Sequence, residues 1–458
     1  MQHDTLGNAV SAMQESTLRA VDDFIEGFLA YETRAEGIVA AAEAAPECCI
    51  ANVYAGYLWM FLEAPDAALR ASKYLAEAEL MSPAATRREQ LNTAVLRAWA
   101  TDDLPEAIRL CELVSDEFPR DLVVVKIHQY FEFNRGNAAD MLRVALKVAQ
   151  VNAGLAYLHG MTAFAYEQCH LLDQAEVAAR SALVLRRKEP WAQHALAHVM
   201  LTRGRIDAGA DFLESVQDTW TGLNSFMYTH LWWHLALFYL SQGRRARVLE
   251  IYDHHCWGIV KSYSQDQIGA VSLLARMELA GIDVGGRWRD LGEHLAARAH
   301  DTVLPFLTMQ YLYGLARAGR EEAAALLNSV RLAAEFAPPA LREVWQDVAL
   351  PACEGLYAYG SKNFSAAWRH LSAALPRLME AGGSHAQRDL FEQILLDAAI
   401  RSRRFGAAQQ ALELRRSTDR DGVPVNAALE RVYAELGLPA LAEQAQARAA
   451  ATRSRHPD

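Results

Sequence analysis

The stretch that decides the fold is residues 190–256, PWAQHALAHVMLTRGRIDAGADFLESVQDTWTGLNSFMYTHLWWHLALFYLSQGRRARVLEIYDHHC. Apolar residues recur in it at steps of three and four, which is the period of a helix with one buried face. Gly204 and Gly243 interrupt this pattern and mark turns between helices. The stretch therefore predicts two helix–turn–helix units, one directly after the other.

Each of these units opens with a helix that carries a pair of histidines four residues apart. The first pair is His194 and His198, and the second pair is His230 and His234. Residues i and i+4 lie on one face of a helix, because a turn takes 3.6 residues. Two neighbouring helices are thus predicted to present two imidazoles each from a single stripe.

The same spacing of turns recurs elsewhere along the chain. A turn at His170 precedes Gly204 by 34 residues, which is the tetratricopeptide period. Small residues such as Ala175 and Ala182 follow at places where paired helices pack closely, and the spacing returns around Gly437. We predict an all-α fold, a tetratricopeptide-like helical-hairpin solenoid (a superhelix) with an N-terminal helical cap. The alternative is an irregular all-α bundle.

The predicted solenoid divides into three parts. These are an N-terminal helical cap over 1–82, helical repeats over 83–415, and a C-terminal loop with capping helices over 416–458. The cap fits the repeat period poorly, so its elements are predicted from apolar spacing alone. We expect a leading loop over 5–15 and then helices over 17–31, 34–45, 52–63 and 67–80.

Composition and charge exclude several classes of protein. The chain has 458 residues, 52% of them apolar, and a formal net charge of −11. It has no run of Lys and Arg and no basic arm, so we predict no nucleic-acid partner. The most apolar stretch, 226–240, is too short to span a bilayer, so no membrane partner is expected.

The cysteines and the N-terminus predict a cytoplasmic protein. None of the six cysteines has C-x-x-C spacing, which favours reduced thiols over a disulfide framework. The first residues are polar and contain no apolar signal-peptide core. The sequence leaves the oligomeric state open.

Four segments together carry a resemblance to a known family. They are REQLNTAVLRAWATDDLPEAIRL (88–110), HALAHVMLTRGRIDAG (194–209), THLWWHLALFYLSQGRRARVLEIYD (229–253) and GGSHAQRDLF (382–391). The chain resembles the tetratricopeptide repeat protein 38 family of bacteria and animals, some of whose bacterial members occur in glycopeptide-antibiotic gene clusters. The resemblance spans nearly the whole chain, including DTLGNAVSAM at 4–13, and it implies a fold and no reaction. Asn92 stands where family members often have His, so any contribution of that His to a site is lost or altered here.

The paired histidines have three interpretations. Counted from the turns, His194, His198 and His230 fall on the inner face of the solenoid, and His234 lies near its edge. Imidazoles that converge there can bind zinc, iron or another transition metal. They can also perform acid–base chemistry without a metal, or form a polar seam between helices.

Two further residues belong to the same two units. Asp253, in the run DHHC at 253–256, is a candidate to accept a hydrogen bond from one of the histidines and so orient it. A buried hydrogen bond between helices is the alternative. Trp233 is predicted to line the groove, whereas its neighbour Trp232 occupies the usual core position of the repeat.

A second motif, 382–389, starts another helix. After two glycines, Ser384 is predicted to cap the helix and Gln387 to complete a capping box. The adjacent Arg388 and Asp389 are not explained by capping. Backbone N–H groups at this helix start, with Arg388, can hold a carboxylate or a phosphate. The alternative is capping with an ordinary salt bridge.

Two functions compete on these residues. In the first, a concave groove lined by the paired histidines binds a small molecule, a peptide or a partner protein. In the second, the chain is an enzyme, such as a metal-dependent hydrolase or oxygenase of specialised metabolism. It then uses the four histidines with a zinc or iron cofactor and Arg388 as an anion clamp. The candidate ligand-binding residues are Trp233, Asp253, Ser384, Gln387, Arg388 and Asp389.

Overall fold

The computed structural model describes residues 2–11 and 14–457. Two short strands come first, β1 Gln2–His3 and β2 Ala9–Val10. The helices of the first part are α1 Glu15–Ala30, α2 Gly37–Ala44, α3 Cys49–Met60, α4 Ala67–Met81, α5 Arg87–Ala100, α6 Leu104–Glu117, α7 Leu122–Asn134, α8 Ala138–Lys147, α9 Ala156–Gln168, α10 Leu172–Leu185, α11 Pro190–Thr202 and α12 Ile206–Val216. Those that follow are α13 Ser225–Gln242, α14 Arg245–Ile251, α15 Ser264–Leu279, α16 Arg287–Leu295, α17 Pro305–Arg317, α18 Glu322–Phe336, α19 Pro339–Val344, α20 Leu350–Gly360, α21 Phe364–Ala374, α22 His385–Arg401, α23 Phe405–Arg416, α24 Val423–Glu435 and α25 Pro439–Arg455.

Successive helices pack in pairs as hairpins. Pairs such as α9 with α10 and α24 with α25 pack along their lengths, and the predicted turn residues separate the paired helices. His170, Gly204, Gly243 and Gly437 all have positive φ, between 57° and 81°. The all-α, helical-hairpin prediction is confirmed.

The chain forms two compact units, and it passes from one to the other inside α11 and again inside α13. The first unit takes in the described residues up to Leu196 together with 219–227. The second takes in Ala197–Asp218 and the described residues from Tyr228 onward. The predicted division at 82/83 and 415/416 concerns repeat boundaries and stays a prediction.

The first unit begins with a hairpin where the sequence predicted a loop. Gln2 pairs with Val10 and His3 with Ala9 in antiparallel register. The prediction of a loop over 5–15 is wrong at Ala9–Val10, because strands of two residues are too short to produce an alternating pattern. Ala12 and Met13 of that segment lie outside the described residues, as do Met1 and Asp458. Another difference is that the helix predicted over 34–45 begins as a 3-10 turn, Thr33–Glu36, before α2.

A buried arginine ties this hairpin to the helices. Arg88 Nη2 lies 3.1 Å from Asp4 Oδ2, and Arg88 Nη1 lies 2.9 Å from Asp121 Oδ2. Asn92 Nδ2 donates to the same Asp121 oxygen at 3.1 Å. Asn92 is therefore part of the buried polar network of the first unit.

In the second unit the C-terminal segment packs back onto the beginning of the unit. A Cβ atom on Gly204 would lie 2.2 Å from the carbonyl oxygen of Thr418, so only glycine permits this approach. Ser241 Oγ donates to Asp419 Oδ1 at 2.7 Å, and Gln242 Nε2 donates to Asp207 Oδ1 at 2.9 Å. In the same unit α22 packs against α15. Arg276 of α15 contacts the ring of Trp233 on the histidine helix α13.

Candidate functional site

Three of the predicted histidines converge within the second unit. The ring centroids of His198 and His234 are 4.5 Å apart, and those of His230 and His234 are 4.8 Å apart. One ring nitrogen from each of the three lies within 4.8 Å of the others. The repeat therefore brings the histidines of α11 and α13 together, as the i, i+4 spacing predicted.

His194 belongs to the first unit, one helical turn before His198 on the same continuous helix. Its ring stacks on that of Trp191, with centroids 4.4 Å apart and planes 24° apart. The ring of Phe164 lies 5.1 Å away. His194 is thus held among aromatic rings of its own unit.

The three histidines of the second unit are shielded from water. His198 is 1% exposed, His230 is 9% exposed and His234 is fully buried. Burial, together with the smaller effect of the neighbouring His198, lowers the pKa of His230 to about 3. His230 is consequently neutral at pH 7, and neutral imidazole is the form that binds metal ions.

Trp233 connects this cluster to an arginine. Its ring lies nearly parallel to that of His230, with 5.3 Å between centroids and 7° between planes. The guanidinium carbon of Arg276, on α15, lies 5.2 Å from the centroid of the same indole. Trp233 is buried, so it forms part of the wall that encloses the histidines.

Arg276 in turn contacts the helix that the second sequence motif begins. Its Nη2 donates to the carbonyl oxygen of Ala386 at 2.5 Å and lies 3.7 Å from Asp389 Oδ2. Arg415 Nη1 lies 2.5 Å from Asp389 Oδ1. Within the second unit, the 382–389 turn thus meets the histidine helix through Arg276.

Burial shifts the pKa values of Arg276 and Asp389. It lowers the pKa of Arg276 to about 10, although Asp389 acts in the opposite direction. Burial also raises the pKa of Asp389, but Arg415 and Arg276 outweigh that effect and hold it below its ordinary value. Both groups are therefore charged at pH 7.

The other residues of that motif have local partners. Ser384 Oγ accepts the N–H of Gln387 at 3.3 Å, and Gln387 Oε1 accepts the N–H of Ser384 at 2.9 Å. This is the predicted capping box. Arg388 Nη1 donates to the carbonyl oxygen of Gly383. The anion clamp assigned to Arg388 stays a prediction.

Asp253 lies apart from the histidine cluster. It is exposed and forms a bidentate pair with Arg287, at 2.8 and 2.6 Å. Its neighbour His255 stacks on Trp232, with ring centroids 3.9 Å apart. Trp232 is only half-buried, so it packs at the edge of the hairpin rather than in the core.

The sequence interpretation missed Arg276 and Arg415. Arg276 stands in the mostly apolar run LLARMEL of α15, which also contains Glu278, and a charged residue inside such a run was the available signal. Its environment is set by α22, which lies more than a hundred residues away in the chain. No local sequence motif indicates such a contact.

Comparison with known proteins shows similarity to helical-repeat structures at low identity. No family model matches the chain. A human IFIT1 dimer with m7Gppp-AAAA has 13% sequence identity and a TM-score of 0.44, covering 96% of this chain and 95% of that one. The tetratricopeptide domain of P58(IPK) has 11% identity and a TM-score of 0.23, covering 81% and 94%. Similarity at this level says nothing about the ligands of this chain.

Among residues 2–11 and 14–457, no helix is both long enough and apolar enough to cross a bilayer.

Proposed function

We propose that this protein binds a small molecule at a transition-metal ion held by His198, His230 and His234. His194, which belongs to the first unit, stays a ligand predicted from the sequence alone. The convergence of three buried ring nitrogens within 4.8 Å of one another is the observation that carries the proposal. Zinc and iron both accept imidazole ligands, and catalytic zinc sites often have three protein ligands and one open position.

Burial favours a small ligand over a macromolecule at this site. A peptide or a partner protein contacts exposed side chains, whereas His198 and His234 have almost no exposed surface. An ion and a small molecule can occupy an enclosed site that a helix or a strand cannot enter. A peptide or partner-protein ligand in the groove is consequently the weaker alternative.

An ion with an open position would supply Lewis-acid polarisation or an activated water, which is the chemistry of hydrolases and oxygenases. In that case the three histidines hold the ion, and Trp233 excludes water from one side of it.

We also propose, from the sequence, membership of the tetratricopeptide repeat protein 38 family, a cytoplasmic location and no nucleic-acid partner.

Elemental analysis of the purified, untagged protein tests the metal proposal. Wild type is compared with a His198→Ala/His234→Ala double variant, and circular dichroism checks that the variant retains its helical signal. The matched control is His254→Ala, because His254 is an exposed histidine outside the cluster.

Near-stoichiometric zinc or iron in wild type and in His254→Ala, with loss of the metal from the folded double variant, supports the proposal. Equal metal content in all three proteins, or no metal in wild type after growth with added metal, contradicts it.

A further inference from the structure

We infer that the metal ion in this site takes a small oxyanion, a carboxylate or a phosphate, as its external ligand. This inference rests on the proposed function, and it adds the chemical class of the ligand. The charges of the protein groups in and behind the site carry it.

The ligand set itself contributes no negative charge. The group of metal-binding side chains consists of imidazoles alone, with no carboxylate and no thiolate among them. An imidazole that binds a metal does so as a neutral group. A divalent ion bound here therefore keeps its full double charge in a site that excludes water, where an uncompensated charge is costly.

A cation, Arg276, lies on the indole of Trp233, so it does not compensate the charge of the ion. Arg276 is 3% exposed and shares one carboxylate, Asp389, with Arg415. Arg415 also lies near the carboxylates of Glu392 and Asp419, which offset its charge. Arg276 places its guanidinium on the side of Trp233, with Asp389 as its acidic partner.

A buried acid, Asp266, lies beside the histidine helix α13. Asp266 accepts the N–H of Val260 at 3.1 Å and the hydroxyl of Thr229 at 3.4 Å, and Thr229 precedes His230 in α13. A single carboxylate offsets one positive charge, while the ion alone brings two. An anionic ligand in the open coordination position removes the remaining imbalance.

Arg276 is close enough to affect such an anion. The His230 ring and the guanidinium contact the same indole at 5.3 and 5.2 Å, so they are at most about 10.5 Å apart. At that distance, a unit charge in a protein interior changes the affinity for an anion by roughly tenfold. Arg276 is therefore assigned as a positioning residue for the anion and not as a ligand of the metal.

The test uses the metal-free full-length protein loaded with Co²⁺, whose visible spectrum reports its ligands. Acetate and inorganic phosphate are titrated separately, so that the two sources of the oxyanion are distinguished. Arg276→Met and Arg287→Met are titrated in parallel. Arg287 is the matched control, because it pairs with Asp253 away from the cluster.

We expect at least one of the two anions to change the Co²⁺ spectrum saturably in wild type and in Arg287→Met. Affinity should fall roughly tenfold in Arg276→Met. If the protein binds Co²⁺ but neither anion changes the spectrum, the oxyanion inference is overturned and the proposed metal site still stands. A protein that fails to bind Co²⁺ overturns the proposed function itself. If Arg276→Met does not fold, the wild-type titrations still decide between these outcomes.

Discussion

At the scale of single residues, burial controls the charge state of the groups that matter. His230 is held neutral in the second unit, and a glutamate in the first unit shows the corresponding effect on an acid. Glu189 is fully buried beside the start of α11, and burial raises its pKa to about 7, against the opposing effects of Arg186 and Lys126. The backbone of Trp191 also lowers this pKa.

Glu189 predicts a stability that depends on pH. Because its folded pKa is raised from 4.5 to about 7, the folded state retains a proton that the unfolded state loses. The associated stability is fully present below pH 4.5, and about 3 kcal/mol of it is lost as the pH rises through 7. Glu189→Gln should abolish this slope in urea unfolding followed by circular dichroism between pH 4.5 and 8. The exposed control Glu36→Gln should retain it, and equal slopes in wild type and Glu189→Gln contradict the prediction.

At the scale of elements, the capping box of α22 should stabilise the helix that presents Asp389. Ser384→Ala removes the acceptor for the Gln387 N–H. We expect it to lower the free energy of unfolding by about 1 kcal/mol, whereas Ser384→Gly should cost only a few tenths. Thermal unfolding of the two variants measures the difference. Ser384→Ala with the stability of wild type shows that the cap is not stabilising.

Helices and their turns were predictable because their signals are local. The turns at His170 and Gly204 and the histidine pairs of α11 and α13 follow from spacings of fewer than 40 residues. The hairpin of Ala9–Val10 was not predictable, because two residues carry no periodicity. The pairing of Asp253 with Arg287 depends on which side chains meet between hairpins, and the sequence does not encode that in any short motif.

At the largest scale, within the second unit, long-range contacts that close the chain on itself bring the residues of the site together. The 382–389 turn follows the histidine pairs by about 150 residues in the chain, and no short motif links the two. The structure supplies the closure through the contact of Gly204 with Thr418 and the bond from Ser241 to Asp419. Such contacts join segments about 200 residues apart in the chain, and no short sequence motif indicates them.

A matched pair of glycines tests this closure. Gly204 and Gly281 have similar φ values, 64° and 75°, so alanine strains both backbones similarly. A Cβ on Gly204 would lie 2.2 Å from the Thr418 oxygen, whereas a Cβ on Gly281 would meet nothing within 4 Å. We expect Gly281→Ala to cost about 1 kcal/mol and Gly204→Ala to cost 2 kcal/mol or more beyond that, measured by urea unfolding. Equal losses in the two variants contradict the closure.

The most direct test of the central claim is X-ray absorption at the edge of the metal found in the purified protein. We predict three or four imidazole nitrogens at about 2.0–2.1 Å from the ion if it is zinc. We also predict that this imidazole signal disappears in the folded His198→Ala/His234→Ala variant. A shell of oxygen ligands without imidazole scattering, or an unchanged spectrum in the variant, shows that the buried histidines do not hold a metal.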